Sequence, residues 1–458
     1  MNMISDVYHA YQLVHSQGIP DDRIIVMHSD DIAYDPLNPT PGVIINAING
    51  TNVYEGVPKD YTGNDVTIKN FFGVLNGDPE LIKHGKKVIK TNANNQIIMF
   101  PNETLHAKDL VNVLGELYKQ NKYDQLVVYL ESCKSGSMFA NLLPNDWNLY
   151  ALAATQPDEY GAQYSYDFSP RQSFLATYFS TIWFQNADQS DPERETLDTQ
   201  FQYIAARPDV WVPYQVGDET WCLNVTQHPQ QYGDLSIAKT RTVSQFMGPL
   251  SQNGLNKDIK QDIIIEKCNL TIDQDIYVFL AQKRIDLTVD TNEKQRYQDQ
   301  LDGLTRGREY VDKVLYEYVN SIQHLMPNIA TNAILNTNRE LYNRECYRKM
   351  VDTFNEKCFN LSKNTYALHK VHVFINICET LNGRTEVWES AAKQLDNCEN
   401  NTENEFIEMH SELQPLLAKN IGHNSHPITN QSDRKSCNLI NRLPFSFWLT
   451  PVWIYCIY

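Results

Sequence analysis

The sequence predicts an α/β protein in which a mostly parallel, doubly wound sheet is followed by a separate helical region. Short apolar segments typical of buried strands, such as Ile24–His28 and Gln125–Leu130, alternate with segments of helical periodicity in the first half. Strands that alternate with helices favour a parallel sheet with functional loops at the carboxyl ends of its strands. After about Gly248 this alternation stops and a long helical pattern appears.

The elements of the first half are predicted from apolar spacing and from the residues that end each segment. Gly18-Ile19-Pro20 ends the first helix, and the turn Glu131–Ser137 follows the last strand. In chain order, the predicted elements are a helix over Asp6–Gln17, a strand over Ile24–His28, a helix over Val66–Leu75, a helix over Lys108–Lys119 and a strand over Gln125–Leu130.

The second half contains one apolar stripe at helical spacing, which predicts a buried helix face. The stripe consists of Val311, Val314, Leu315, Tyr318, Val319, Ile322 and Leu325. We therefore predict four regions: a first domain over 1–248, a polar linker over 249–291, a helical domain over 292–400, and a disordered tail over 401–458 with an apolar end.

Composition excludes several classes of function. A chain of 458 residues is expected to form two or more folded units. With 39 Lys+Arg against 56 Asp+Glu there is no basic patch for nucleic acid. The apolar stretch Leu443–Tyr458 is interrupted by Pro444 and Pro451 and is too short to span a membrane, and the first residues do not resemble a signal peptide. No cysteine or histidine spacing indicates a metal, and no cofactor is predicted.

Cys133 is the residue most suggestive of chemistry. It follows an apolar strand directly, where the backbone amides of the next turn can favour a thiolate. A buried structural cysteine would give the same local pattern, so the residues alone leave both interpretations open. Four other cysteines cluster between Cys346 and Cys398, in a helical context that suggests disulfides.

The segment Tyr129–Phe139, YLESCKSGSMF, resembles the nucleophile motif of the legumain family of asparaginyl cysteine endopeptidases, in which a strand ends Glu-Ala-Cys-Glu-Ser-Gly-Ser-Met. The resemblance implies a caspase-like α/β/α sandwich with Cys133 as nucleophile and Glu131 as a substrate-binding acid. Four further blocks are similar to the family and lie in the same order: Gly18–Tyr34, Asn38–Gly42, Asn49–Thr67 and Phe100–Leu110.

The cysteine cluster resembles the helical prodomain of that family. Cys346 and Cys358 are 12 residues apart, and Cys378 and Cys398 follow at intervals of 20. The resemblance implies the pairs Cys346–Cys378 and Cys358–Cys398. Asn292 is similar to the asparagine at which the proenzyme cuts itself, although a solvated loop asparagine is an equal alternative. Glycosylation sequons begin at Asn49, Asn102 and Asn360.

The chain departs from the family at the catalytic base. A cysteine peptidase needs a base near its thiol, and the family supplies it from a strand that ends in His-Gly. Between Val88 and Glu103 that strand is absent, and Asn92-Ala93 stands in place of His-Gly when the flanks are aligned. His84 and His106 are the nearest histidines, and we interpret both as solvated.

The substrate pocket also departs from the family. The segment that carries the pocket arginine is missing, Tyr160 and Gly161 replace the pocket serines, and Thr177 replaces the pocket aspartate. The first strand of the sheet is missing as well. Losing the first and the histidine-bearing strands predicts that Ile24–His28 has no neighbour connecting it to Gln125–Leu130. The segment Gln96–Phe100 can fill one of the two places but not both.

Three hypotheses follow for function. The gene encodes an active legumain of which this chain lacks two segments, or the chain is a pseudopeptidase that binds peptides or proteases, or it resembles the related GPI-anchor transamidase, an acyltransferase. The predicted prodomain and the lack of a membrane span disfavour the last. The resemblance implies a peptide or protein substrate, the chain's own prodomain as a partner, and a lysosomal, vacuolar or secretory location.

Overall fold

The computed structural model describes residues 2–35, 38–88, 105–167, 171, 173–216, 219–249, 271–272, 275–361, 364–398 and 453–457. The chain divides into two compact units, one of Met1–Gln298 with Thr450–Tyr458 and the other of Asp299–Leu449. The four-region division predicted from the sequence stays a prediction. The predicted linker over 249–291 contains a helix, Ile276–Leu287. Residues 453–457 of the predicted disordered tail form a strand, contrary to the prediction.

The first unit has eleven strands and nine α-helices in its described residues. The strands are β1 Met27–His28, β2 Tyr61–Thr62, β3 Leu126–Glu131, β4 Leu149–Ala153, β5 Ala162–Asp167, β6 Ser173–Thr177, β7 Asp209–Val216, β8 Glu219–Thr226, β9 Gln230–Gly233, β10 Thr271–Ile272 and β11 Trp453–Ile457. The helices are α1 Asn2–Ser16, α2 Ile68–Asn76, α3 Pro79–Lys83, α4 Ala107–Lys119, α5 Tyr178–Gln189, α6 Leu197–Ala205, α7 Leu235–Thr240, α8 Ser244–Met247 and α9 Ile276–Leu287.

Strand β3 lies at the centre of the first unit and is buried along its whole length. Its alternate side chains enter two different cores because successive residues of a strand point to opposite faces. Val127 and Tyr129 pack with α1 and α5, whereas Val128 and Leu130 pack with α2 and α4. The result is a layer of sheet between two layers of helices, as the α/β prediction requires.

The sheet around β3 has the order β11-β3-β4-β9. Strands β3 and β4 are parallel, and β9 is antiparallel to β4. On the other side, β11 pairs with β3 in antiparallel register, with Trp453 opposite Glu131 and Ile457 opposite Val127. Residues 453–457 therefore pair with this edge of β3. The segment Gln96–Phe100, predicted as a possible replacement strand, lies outside the described residues.

The predicted isolation of the strand after α1 stays a prediction, because residues 89–104 lie outside the described residues. Only Met27–His28 of the expected segment is a strand, and it pairs in parallel with Tyr61–Thr62 in a two-stranded sheet of its own. Across the ranges that the structure describes, no strand joins this pair to β3. This strand pair is covered by apolar packing, in which Tyr8 and Tyr11 of α1 lie in one cluster with Val26.

The second unit is helical. Its helices are α10 Thr291–Ser321, which begins at the end of the first unit, α11 Thr331–Asn336, α12 Arg344–Lys357, α13 Thr365–His369, α14 His372–Thr380 and α15 Thr385–Lys393. The predicted stripe is largely confirmed, since Val311, Leu315, Tyr318, Val319 and Ile322 are buried. Disulfides join Cys346 to Cys378 and Cys358 to Cys398, the pairing that the family resemblance implies.

Candidate active site

The turn after β3 is held against the end of β4. Thr155 accepts the Ser135 N–H at its side-chain Oγ1 (2.9 Å) and the Gly136 N–H at its carbonyl (3.0 Å). Lys134 turns the chain in the left-handed region, with φ of 55°. Because β3 and β4 are parallel, both carboxyl ends lie at one edge of the sheet, and Cys133 lies there.

The thiol of Cys133 faces a backbone donor. Cys133 is partly buried and lies outside the two disulfides. The Gly161 N–H donates to its Sγ at 3.4 Å, and the Lys134 N–H donates to the Glu159 carbonyl at 2.7 Å. The loop that follows Thr155 is thereby fastened to the turn of Cys133. A backbone N–H directed at sulfur favours the thiolate over the thiol.

The same loop holds a histidine that the sequence analysis did not single out. The Glu159 carboxylate contacts Nδ1 of His228 at 2.7 Å and accepts the His228 backbone N–H at 2.7 Å. It also accepts the Gln156 N–H at 3.2 Å. Glu159 and His228 are 69 positions apart, so no local pattern in the sequence could have joined them.

Lys134 and Tyr160 contact each other beside the thiol. The Lys134 Nζ lies 5.0 Å from the centre of the Tyr160 ring, within cation–π range. Burial lowers the pKa of Lys134, while the nearby Cys133 and Asp158 act in the opposite direction. By the family resemblance, Tyr160 stands at the position of a pocket serine and Lys134 at that of the glutamate after the nucleophile.

The two predicted pocket positions on strands are both buried. Glu131, the last residue of β3, is 4% exposed. Thr177, the last residue of β6, donates its N–H to Asp6 and accepts the Ser180 N–H with its side chain at the start of α5. The position that the resemblance assigns to the pocket aspartate thus carries a helix-capping hydroxyl.

The remaining predicted residues lie apart from this turn in the sequence and have local roles. His84, which follows α3 directly, contacts the Glu80 carbonyl, and His106 lies just before α4. Asn292 is exposed near the start of α10, with its N–H bonded to Asp290. Asn49 is exposed in a turn.

Two of the three candidate glycosylation sites gain no support. Asn360 is only 6% exposed, and its glycosylation stays a prediction. Asn102 lies outside the described residues. Over the described ranges, no three His, Cys, Asp or Glu side chains are grouped so as to hold a metal, and no helix is long and apolar enough to cross a membrane.

An α/β/α layer with a thiol at the carboxyl end of a central strand is an arrangement that a cysteine peptidase or its homologue can have. Residues 3–249 match the Peptidase C13 family, and residues 299–395 match the legumain prodomain. The chain belongs to the legumain (peptidase C13) family. The resemblance stated from the sequence is confirmed.

Individual relatives cover most of the chain. Legumain from Bos taurus is 34% identical over 391 residues, which span 82% of this chain and 85% of the relative. Legumain from Homo sapiens is 33% identical over the same shares. The vacuolar-processing enzyme beta-isozyme of Arabidopsis thaliana is 29% identical over 400 residues, with 82% of this chain and 79% of the relative covered.

Proposed function

We propose that this chain is a legumain-type cysteine-peptidase homologue that binds peptides at the Cys133 turn but does not cleave after asparagine. The observation that carries the proposal is the use of Thr177 as a helix cap. The Thr177 N–H donates to Asp6, and its hydroxyl accepts the Ser180 N–H. The residue that the family resemblance assigns to the pocket aspartate is therefore not acidic, and its polar groups are used within the fold.

The missing base supports the same conclusion. The sequence has no histidine between Val88 and Glu103, where the family places the His-Gly pair. A general base contributes on the order of 10²–10⁴-fold to rate, and the loss of pocket contacts adds to this deficit. The turn itself is intact, because Thr155 and Gly161 hold the backbone around the thiol. Peptide binding therefore remains possible where asparagine cleavage does not.

The prodomain and the disulfides support a secretory or vacuolar protein. Two disulfides in one helical unit require an oxidising compartment. The relatives named above include a vacuolar-processing enzyme. We propose that the helical unit acts as the chain's own regulatory partner, with Asn292 as the processing site. The match to the legumain prodomain supports the legumain interpretation over the transamidase alternative.

A cleavage assay tests the proposal. The full chain, produced in an oxidising compartment, is incubated at acidic and neutral pH with a short peptide that carries asparagine before a fluorogenic leaving group. We expect no turnover above that of the Cys133→Ser variant, while fluorescence anisotropy detects reversible peptide binding. Cleavage after asparagine that disappears in Cys133→Ser would overturn the proposal.

A further inference from the structure

The ammonium of Lys134 lies beside the thiol without an acidic partner. It is only partly exposed, and its one side-chain contact within the described structure is the Tyr160 ring, with Nζ 5.0 Å from the ring centre. A cation removed from water is stable when an anion or several acceptors replace its hydration. An aromatic face alone replaces little of it, so the site is suited to an anion from outside the chain.

Two acidic residues of the loop that contacts Lys134 do not fill this role. The Glu159 carboxylate is occupied by His228 and by the Gln156 N–H. Asp158 influences the ammonium through space but forms no ion pair with it within 4 Å. The Cys133 thiol also acts on the ammonium electrostatically, so the cation lies in the neighbourhood of the thiol.

The sign of this charge is opposite to that of the family motif. The legumain motif has glutamate directly after the nucleophile, whereas this chain has Lys134. Tyr160, which contacts Lys134, replaces a serine of the family pocket. The two differences from the family motif, Lys134 and Tyr160, therefore place a cation in contact with an aromatic ring next to Cys133. An ammonium binds carboxylate through charge-assisted hydrogen bonds, whereas a neutral amide gains no such charge term.

We propose that Lys134 and Tyr160 form a carboxylate-recognition subsite beside Cys133, which makes the chain bind peptides that carry aspartate or glutamate in preference to asparagine or glutamine. The inference rests on the proposed role of the Cys133 turn as a peptide-binding site. The ligands of that site are then acidic peptides, and their binding is noncovalent.

The preference should depend on pH through the ammonium. Burial lowers the pKa of Lys134, and the charges of Cys133 and Asp158 partly offset this shift. Glu159, the other acid of this loop, remains paired with His228. Above neutral pH the ammonium loses its proton earlier than an ordinary lysine, so selectivity for acidic peptides should fall at alkaline pH. It should also weaken as salt is added.

Equilibrium binding of two matched peptides tests the proposal. The peptides carry the same fluorophore and differ only by aspartate or asparagine at one position, and the protein is the full chain with Cys133→Ser to prevent turnover. We expect the aspartate peptide to bind about 10-fold tighter or more, the typical effect of one charge-assisted hydrogen bond. In Lys134→Gln this preference should shrink to within about 2-fold, and in Lys134→Glu it should reverse.

The matched control is Lys119→Gln, which removes an exposed lysine that pairs with Glu116 on α4. It should leave the preference unchanged, and thermal unfolding of every variant reports whether the fold is intact. Equal binding of the two peptides, or a preference that survives in Lys134→Gln, overturns the carboxylate subsite but leaves the proposed function standing. Absence of binding by either peptide overturns both.

Discussion

The carboxyl of Asp6 accepts the backbone N–H of Thr177 at 3.1 Å and thereby ties α1 to the start of α5 across 171 positions of sequence. The amide of Asn46 donates to the other oxygen of Asp6 at 2.8 Å. Asp6 is 2% exposed, and burial raises its pKa to about 7 despite these hydrogen bonds.

This carboxyl should make the first unit more stable in acid. The folded-state pKa lies above the unfolded value, so the folded chain binds more protons and stability falls as pH rises from about 4 to about 7. Between pH 5 and pH 7.5 the loss should be roughly 2–3 kcal/mol from this group. Urea unfolding at the two pH values measures it.

The variant Asp6→Asn should lose this pH dependence. It will also be less stable in acid than the parent, because its amide N–H₂ would face a donor, either the Thr177 N–H or the Asn46 amide. Asp124→Asn, at an exposed position, is the control and should keep the parental pH dependence. The same pH dependence in Asp6→Asn as in the parent would show that Asp6 is not the titrating group.

The turn of Cys133 should not tolerate a side chain at Gly136. A Cβ there would lie 2.6 Å from the Tyr232 hydroxyl and 2.7 Å from the Thr155 carbonyl. Overpacking of this kind costs about 1–3 kcal/mol. We therefore expect Gly136→Ala to lower the stability of the first unit and to alter the alkylation rate of Cys133, measured by mass spectrometry with iodoacetamide.

Gly307→Ala is the matched control for this substitution. Gly307 lies in α10, and an added Cβ meets nothing within 4 Å. Alanine is favoured over glycine within a helix by about 0.5–1 kcal/mol, so this variant should be slightly more stable with unchanged alkylation. Unchanged alkylation and stability in Gly136→Ala would contradict the packing described around Thr155.

Both disulfides of the helical unit should be found by non-reducing peptide mapping. The loops that they close, of 32 and 40 residues, predict about 3–4 kcal/mol of stabilisation each. Reduction should therefore lower the unfolding temperature of this unit. A linked peptide that joins Cys346 to Cys358 instead would mean that the helices pack differently from the structure described.

Limited proteolysis should degrade the first unit before the helical one. The first unit depends on β11 to cover the edge of β3, whereas two disulfides hold the second. We expect a resistant fragment that begins near Thr291, and faster loss of residues before Gly248 when residues 450–458 are deleted. Deletion of 425–434, with β11 kept, is the control. Equal resistance of both units in the truncated chain would show that another segment closes the sheet.

Local sequence patterns predicted the elements that are buried on every side. The apolar run of β3 can be buried only as a strand inside the protein, and the stripe of α10 only as one face of a helix. The spacing of apolar residues was therefore sufficient to predict both elements. Helix α9 was missed because its apolar residues form no consistent face. Its Ala281 and Ile285 are buried, but the polar residues around them resemble a connector.

The candidate site was predictable only where one segment carries it. Cys133 and Glu131 were identified from a single motif. The Lys134–Tyr160 and Glu159–His228 contacts depend on how a loop folds back onto the turn, and no periodicity encodes that. The pairing of β11 with β3 was equally hidden, because an apolar segment that contains Pro451 does not indicate which sheet edge it will meet.

The antiparallel pairing of β11 with β3 sets an order of events during synthesis. The strand that leads to Cys133 leaves the ribosome more than 300 residues before the strand that covers its edge. At roughly 5–20 residues per second, this interval is about 15–65 s. The disulfide-bonded helices emerge within it, so the nascent protein has to hold the edge of its cysteine-bearing strand open while its second unit is already folding.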